Sequence, residues 1–225
     1  MTVDVIVPFT GDDPHRLAAL GWVTGRLSKL WPVIIGHGPD PWCKAAAVAD
    51  GLAQSTAEIV AVHDADVWCD GLQDAIDAVT LGAPWSMPHR RVRRLTETAT
   101  AQWYADEPAT QYEERPYPGT FGGGIVVLPR AIYEKVPLDP RFVGWGQEDQ
   151  AWGWALDILA GPCARFEHPL THLWHPPQQR MERGKGSTQS VTLARRYSKA
   201  QRHRDRDAMQ ALIDEAKEAT WTPPR

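Results

Sequence analysis

Three short clusters in this sequence carry side chains able to hold a metal ion or move a proton. The apolar run Ile59 to Val62 ends on His63-Asp64-Ala65-Asp66. Two carboxylates one residue apart at a strand end can face the same crevice, and their oxygens suit Mg²⁺ or Mn²⁺ carrying a diphosphate. Taken alone, an Asp-x-Asp also serves turns and helix caps. Thr171-His172-Leu173-Trp174-His175-Pro176-Pro177 sets two imidazoles three residues apart, ahead of two prolines that prevent a helix from continuing. As ligands beside a carboxylate, His172 and His175 would select Mn²⁺ over Mg²⁺. Gly144-Trp145-Gly146-Gln147-Glu148-Asp149-Gln150 presents an indole and two carboxylates at a turn that opens a helix, whose N-terminus favours their ionised form. Helix capping accounts for the acids, but not for Trp145 and the glycines beside them.

Elements with the right periodicity surround these clusters. Val3 to Val7 is a β-branched run closed by Pro8, read as a buried strand. Asp12-Asp13-Pro14 starts a helix over His15 to Leu30, and Pro32 followed by VIIG marks a second strand. Lys44 to Thr56 places Ala45, Val48, Ala49 and Leu52 on one helical face and leads into the strand that ends at Asp64. Gln102 to Gly119 shows no clean period and is expected to be a long loop that shapes an acceptor site. A strand at Gly124 to Leu128, a short helix at Arg130 to Val136 and a helix through Trp152, Leu156 and Leu159 follow, with a terminal helix over Asp205 to Ala219. Polar Gln178 to Val191, with Gly184, Gly186 and Ser187, reads as a loop suited to closing over a bound donor. The alternation predicts an α/β fold, a mostly parallel central sheet flanked by helices, with ligands beyond the carboxyl ends of its strands.

In this order the pieces resemble the β-1,4-galactosyltransferases and, more loosely, the polypeptide N-acetylgalactosaminyltransferases and bacterial chondroitin-type synthases. The pieces are Val5-Ile6-Val7-Pro8-Phe9, Lys44-Ala45 with Asp50-Gly51, Asp64-Ala65-Asp66, Phe121-Gly122-Gly123-Gly124, Gly144 to Asp149, and the pair His172 and His175, spanning roughly residues 3–180. None is specific singly; six in the family's order are. The resemblance implies a GT-A nucleotide-diphospho-sugar transferase fold in a single domain over residues 1–225. Its nucleotide-binding part would take up about residues 1–100, an acceptor and catalytic part about 101–180, and a basic loop and helix about 181–225.

It further implies that Pro8, Phe9 and Thr10 border the uracil of a UDP-sugar, with Lys44 and Asp64 by the ribose and phosphates. Asp66, His172 and His175 would hold Mn²⁺, with Mg²⁺ as the alternative. Phe121, Gly122 and Gly123 would wall the donor sugar, Trp145 would stack on donor or acceptor sugar, and Glu148 would bond to hydroxyls. Asp149 matches the family's catalytic base, for an inverting transfer of a hexose or N-acetylhexosamine. The chain departs from the pattern at Gln147 and Gln150, where galactosyltransferases carry Gly and Asp, at Thr10, where an Arg often follows Pro-Phe, and at His172, where some relatives have Met.

Length and composition agree with one globular domain: 225 residues, 43% hydrophobic, 23% charged, net charge −4, and eleven Trp, which is well above usual. Exposed Trp often faces sugars, although burial is its commoner fate. Basic residues gather at His89, Arg90, Arg91, Arg93 and Arg94, and again at Arg195, Arg196, Lys199, Arg202, Arg204 and Arg206. Such runs are most often solvated faces. Cys43, Cys69 and Cys163 form neither a metal-like spacing nor an even set, which fits a reducing compartment. No apolar run approaches the roughly 20 residues that span a bilayer, so a cytoplasmic, unanchored protein is expected. For the acceptor, a saccharide is favoured by the Trp content and a hydroxymethylated base in DNA by the basic runs. A non-catalytic nucleotide-sugar or carbohydrate-binding module, or a metal-dependent hydrolase built on the same Asp pair, remains the alternative from another class. Oligomeric state is not encoded in any of these features.

Overall fold

The computed structural model describes residues 1–117, 122–176 and 187–219, apart from the side chains of 187 and 188. One sheet forms the centre, ordered β2-β1-β3-β7-β5-β8-β4, with β6 pairing on β5. The strands are β1 (Val3–Phe9), β2 (Val33–His37), β3 (Ile59–His63), β4 (Val67–Trp68), β5 (Ser86–Leu95), β6 (Tyr112–Pro116), β7 (Ile125–Pro129) and β8 (Ala164–His172). As the alternating elements predict, β1 runs parallel to β2 and β3, and β5 is parallel to β8. β7 enters antiparallel to β3 and β5, and β4 antiparallel to β8, so the sheet is mixed.

The mixture has a consequence for chemistry. Because β7 runs against β3, its start at Gly124 meets the end of β3: Asp64 N donates to Gly124 O at 2.8 Å, and Gly124 N to Asp64 Oδ2 at 3.1 Å. The ends of β1, β3 and β8 and the start of β7 therefore share one sheet edge, where open α/β sheets bind ligands.

Period-two alternation divides the core between the two faces of the sheet. Ile6, Val60, Val62, Val126 and Leu128 pack against α2 (Lys44–Ala53), α6 (Glu148–Leu159), α7 (Ser187–His203) and α8 (Arg206–Glu218). Val5, Val7, Ile59, Ala61 and Val127 pack against α1 (Pro14–Leu27), α3 (Leu72–Thr80) and α4 (Glu97–Tyr104). A short α5 (Arg130–Lys135) follows β7. Helix α1 begins as its sequence indicates, with Pro14 in the first turn and Asp13 Oδ1 accepting from His15 N and Arg16 N. At Gly36 a Cβ would lie 2.0 Å from the Ala47 carbonyl oxygen, so β2 and α2 meet backbone to backbone. That contact fixes the start of α2, and with it Lys44, at the sheet edge.

Two expected loops are partly ordered elements. Within Gln102 to Gly119, residues through Tyr104 finish α4 and Tyr112–Pro116 form β6. β6 is exposed along its whole length, so it carries no alternation; backbone pairing to Arg91–Leu95 and the Arg93–Glu114 ion pair at 2.5 Å hold it. Of Gln178 to Val191, Ser187 onward is the first part of α7, while 178–186 lie outside the described residues, as does Phe121. No helix among the described residues is long and apolar enough to cross a membrane.

Asp139, with a side chain 3% exposed, ties α7 and α8 to the body. It accepts from Tyr197 Oη at 2.9 Å and from Arg141 Nη2 at 2.6 Å, and Arg141 Nη2 donates in turn to Leu212 O at 2.9 Å. Asp139→Ala leaves the buried Tyr197 phenol without its partner and takes one of two carboxylates from Arg141, which keeps Glu215, and is expected to cost about 2 kcal/mol. Urea denaturation checks this; a loss below about 1 kcal/mol would mean that the helices are held by apolar contact alone.

Candidate functional site

A cleft of about 540 Å³ opens at this sheet edge. Among the described residues, every site residue singled out in the sequence lines it except Gly122 and Gly123. Those two lie behind Asp149: Gly122 N donates to Asp149 O at 2.8 Å, and a Cβ on Gly123 would come within 2.7 Å of Asp149 Oδ2.

Strand register assembles a three-residue ligand set. β4 starts one residue after Asp66 and pairs Val67 with His172, while Leu173 N donates to Asp66 O at 2.8 Å. The chain then turns and returns His175. One ligand atom from each of Asp66, His172 and His175 falls within 4.8 Å of the others. His175 Nδ1 is 2.8 Å from Pro176 O, and a carbonyl only accepts, so Nδ1 carries a proton. The other nitrogen, Nε2, faces Asp66 Oδ2 at 3.1 Å. A lone pair and a carboxylate oxygen oppose each other stably only with a cation between them, a proton or a metal. The chain's own charges register this. Burial by itself would raise the Asp66 pKa, yet the His175 hydrogen bond, with His172 and Arg16 nearby, holds it well below the usual carboxylate range. The same hydrogen bond raises His175, while burial lowers His172 and keeps it neutral, ready to ligate. One carboxylate and two imidazoles fit a divalent ion of Mn²⁺ type.

Beside the triad, Lys44 Nζ bridges Asp64 Oδ1 at 2.6 Å and Asp149 Oδ1 at 2.7 Å. Burial alone would strip its proton, but Asp149, Asp64 and Glu148 outweigh that and its pKa lies above the ordinary lysine value. The expectation that the helix N-terminus keeps Glu148 and Asp149 ionised is corrected by their burial. Desolvation raises both pKa values, and a helix dipole is too weak to cancel it. They differ in partners: Lys44 offsets the effect at Asp149, whereas Glu148 Oε2 is buried with no hydrogen bond. Asp149 is thus the carboxylate kept charged, and Glu148 the one held as a neutral acid. Lys44→Met removes the opposing cation and is expected to move the Asp149 titration further upward, read by carboxyl ¹³C NMR; an unmoved titration would show that Lys44 does not set its charge.

Trp145 is the one Trp among the large exposed apolar residues described, at 40%. The left-handed run Gly144 (φ 85°), Gly146 (φ 101°) and Gln147 (φ 77°) turns it into the cleft at the head of α6. Its ring stacks on Trp42 (5.2 Å, 16°) and lies under the Arg16 guanidinium at 4.3 Å. Trp42, Arg16 and Arg94 line the cleft but were not legible as site residues. For Trp42 the signal was its place two residues before Lys44. Arg94 is aligned with His172 by the pairing of β5 on β8. A second recess of about 440 Å³ adjoins across Trp42 and Trp145, with Asp12, Asp13 and Asp40 in its lining.

No family model matches the chain, and no curated protein sequence does. Solved structures do match. The catalytic domain of Drosophila β1,4-galactosyltransferase 7, in complex with xylobiose, aligns with a TM-score of 0.54 at 13% identity, over 86% of this chain and 79% of that one. GalNAc-T7 with UDP, GalNAc and Mn²⁺ aligns with a TM-score of 0.54 at 11% identity, over 99% of this chain and 52% of that one, so this chain spans about half its length. Glucosyl-3-phosphoglycerate synthase from Mycobacterium tuberculosis, in complex with Mn²⁺, UDP-glucose and phosphoglyceric acid, aligns at 0.53 and 13% over 89% of this chain and 79% of that one. All three have the GT-A glycosyltransferase fold, and this chain shares that fold.

Proposed function

We propose that the chain is a metal-dependent, inverting glycosyltransferase that moves a hexose or N-acetylhexosamine from a UDP-sugar to a saccharide hydroxyl. The observation that carries this reading is the meeting, in one cleft, of the Asp66, His172 and His175 ligand set with a charged, buried carboxylate at Asp149. The UDP and the sugars rest on the GT-A resemblance and on structural neighbours that hold UDP-sugars and Mn²⁺.

The chemistry follows from where charge develops. An acceptor hydroxyl is a poor nucleophile until a base takes its proton, and burial makes Asp149 a stronger base than a carboxylate in water while Lys44 keeps it ionised. The acceptor oxygen bonds to the anomeric carbon as the bond to the diphosphate breaks, Asp149 receives the proton, and UDP departs. Asp66, His172 and His175 would hold the metal ion, which would neutralise charge on that leaving group. Glu148 Oε2, buried and without a partner, donates to a sugar hydroxyl. Pro8, Phe9 and Thr10 border the base, and Trp145 lies against a sugar once its ring is freed from Trp42.

The choice of a saccharide over DNA as acceptor rests on the state of the basic runs. Arg90 pairs with Glu167 at 2.8 Å, and Arg91 and Arg93 with Glu114. Arg196 pairs with Glu215 at 2.6 Å and Arg204 with Asp157 at 3.1 Å, and Arg206 donates to the carbonyls that end α6. His89 is fully buried. A phosphodiester backbone would meet runs in which Arg90, Arg91, Arg93, Arg196 and Arg204 already face carboxylates, leaving Arg94, Arg195, Lys199 and Arg202 exposed, and the carboxylates of Asp12, Asp13 and Asp40 at the adjoining recess.

The test is UDP release from UDP-glucose, UDP-galactose and their N-acetyl forms, with Mn²⁺ or EDTA. Turnover that needs Mn²⁺ is expected for at least one donor; no turnover and no UDP binding under any condition would sink the reading in favour of a binding module for other ligands. A salt-sensitive shift of labelled duplex DNA would move the acceptor to nucleic acid.

A further inference from the structure

Two buried cations line the cleft, and they differ in their commitments. Lys44 is clamped between two carboxylates at hydrogen-bonding distance. Arg16, in the first turn of α1 with a side chain only 10% exposed, has its nearest carboxylate oxygen, Asp66 Oδ2, at 3.9 Å, beyond a hydrogen bond. Among the described residues its guanidinium donates no hydrogen bond, although the group carries five N–H donors. It is nonetheless held in place. Asp13 fixes its backbone at the head of α1, and its guanidinium lies 4.3 Å above the Trp145 ring. A desolvated, oriented guanidinium with unused donors on the wall of a cleft is built for an anion from outside the chain.

The position says which anion. Asp66 Oδ2, toward which Arg16 points, is the oxygen that faces His175 Nε2 across the metal position. A metal held there would take its remaining oxygen ligands from the cleft that the guanidinium also lines. The 3.9 Å gap also leaves the Asp66 carboxylate free to ligate. Charge bookkeeping points the same way. A divalent ion on Asp66 retains one positive charge, while Lys44 with Asp64 and Asp149 sums to one negative, so among the buried charges of the cleft only Arg16 leaves a net positive one for a diphosphate, with Arg94 adding to it from an exposed position.

Resting on the transferase reading above, we infer that Arg16 binds a non-bridging phosphate oxygen of the nucleoside diphosphate, as a second cation beside the metal for the leaving group. Nothing in the sequence pattern of the three motif clusters assigns this residue, which lies on the helix after β1 and outside all of them. Its contribution grows as the glycosidic bond breaks, because the departing phosphate gains charge.

Calorimetric titration of UDP and of uridine, each with Mn²⁺, tests the assignment on the wild-type chain and on Arg16→Gln. Loss of charge-assisted hydrogen bonds is expected to weaken UDP by about 10- to 100-fold and to leave uridine within about twofold, since uridine carries no phosphate. Unchanged UDP affinity would overturn the inference. So would an equal loss for both ligands, which would mean that Arg16 only supports Trp145. If Arg16→Gln does not fold, Arg16→Lys is read in the same pair of titrations; losing the planar fork, it is expected to weaken UDP at least about threefold and uridine not at all. A wild-type chain that binds neither ligand would overturn the transferase reading, and Arg16's role with it, whereas wild-type binding of UDP with an indifferent Arg16→Gln would overturn the Arg16 role alone.

Discussion

Asp149→Asn is expected to lower sugar transfer by about a thousandfold without weakening UDP binding. The substitution is close to isosteric: the amide oxygen still accepts from Lys44, the first turn of α6 keeps its shape, and Gly122 N still has its Asp149 carbonyl partner at 2.8 Å. The capacity to receive a proton is lost, and a positioned base contributes about 10²- to 10⁴-fold; the negative charge beside Lys44 goes with it, which can only favour a diphosphate. The pH profile adds a second readout. Burial raises the Asp149 pKa, so wild-type activity falls on the acid side as Asp149 protonates, and that limb begins at higher pH than for a carboxylate in water. With Mn²⁺ kept saturating, so that loss of the metal at low pH does not enter, the variant's residual activity has no Asp149 to protonate and is expected to lose that limb. If Asp149→Asn retains more than about a tenth of the wild-type rate, the base lies elsewhere; Glu148 cannot fill the role without first giving up the proton that its burial holds.

What the sequence revealed, and what it hid, follows from which interactions leave a local trace. Residues 5–9, 59–62 and 125–128 are buried on both faces and read as apolar, largely β-branched runs because nothing polar is admitted there. Asp64, Asp66, Glu148, Asp149, His172 and His175 were legible because their chemistry is concentrated in short motifs at element ends. β6 was hidden because every one of its residues is exposed, so its strand character lies in the partner it pairs with and not in its own pattern. The start of α7 reads as polar linker for a similar reason: few of its residues, Leu193, Tyr197 and Ala200 among them, enter the core. Arg16 had no signal at all. In sequence it is one more charged residue in an amphipathic helix, and its meaning comes from α1 starting at the sheet edge where β1 ends, which sets its guanidinium between Trp145 and Asp66. The partners of the basic runs were hidden as well, since a cluster of arginines in sequence says nothing of the glutamates and aspartates that fold against Arg90, Arg91, Arg93, Arg196 and Arg204.

Asp66→Ala is expected to abolish Mn²⁺ binding at the site and, with it, detectable transfer. Removing a second-sphere partner of a metal ligand costs about 10- to 100-fold in affinity, and Asp66 is the one carboxylate of the ligand set, so the loss is at least about a hundredfold. It also contributes the charge without which two imidazoles hold a hard divalent ion weakly. Proton linkage makes the prediction specific to this geometry. With Nδ1 bound to Pro176 O, His175 holds its second proton on Nε2 against Asp66, and that contact raises its pKa above the ordinary histidine value. A metal must displace that proton. Wild-type affinity for Mn²⁺ is therefore expected to fall as pH drops through the raised His175 pKa, with a proton released for each ion bound in that range. In Asp66→Ala the hydrogen bond that raises the pKa is gone, so His175 titrates lower and no proton is released near neutrality. Mn²⁺ titrations followed by electron paramagnetic resonance at several pH values, with proton release read in weak buffer, measure both quantities. Wild-type-like Mn²⁺ affinity in Asp66→Ala would place the ion elsewhere, and pH-independent binding by the wild-type chain would remove His175 from its ligands.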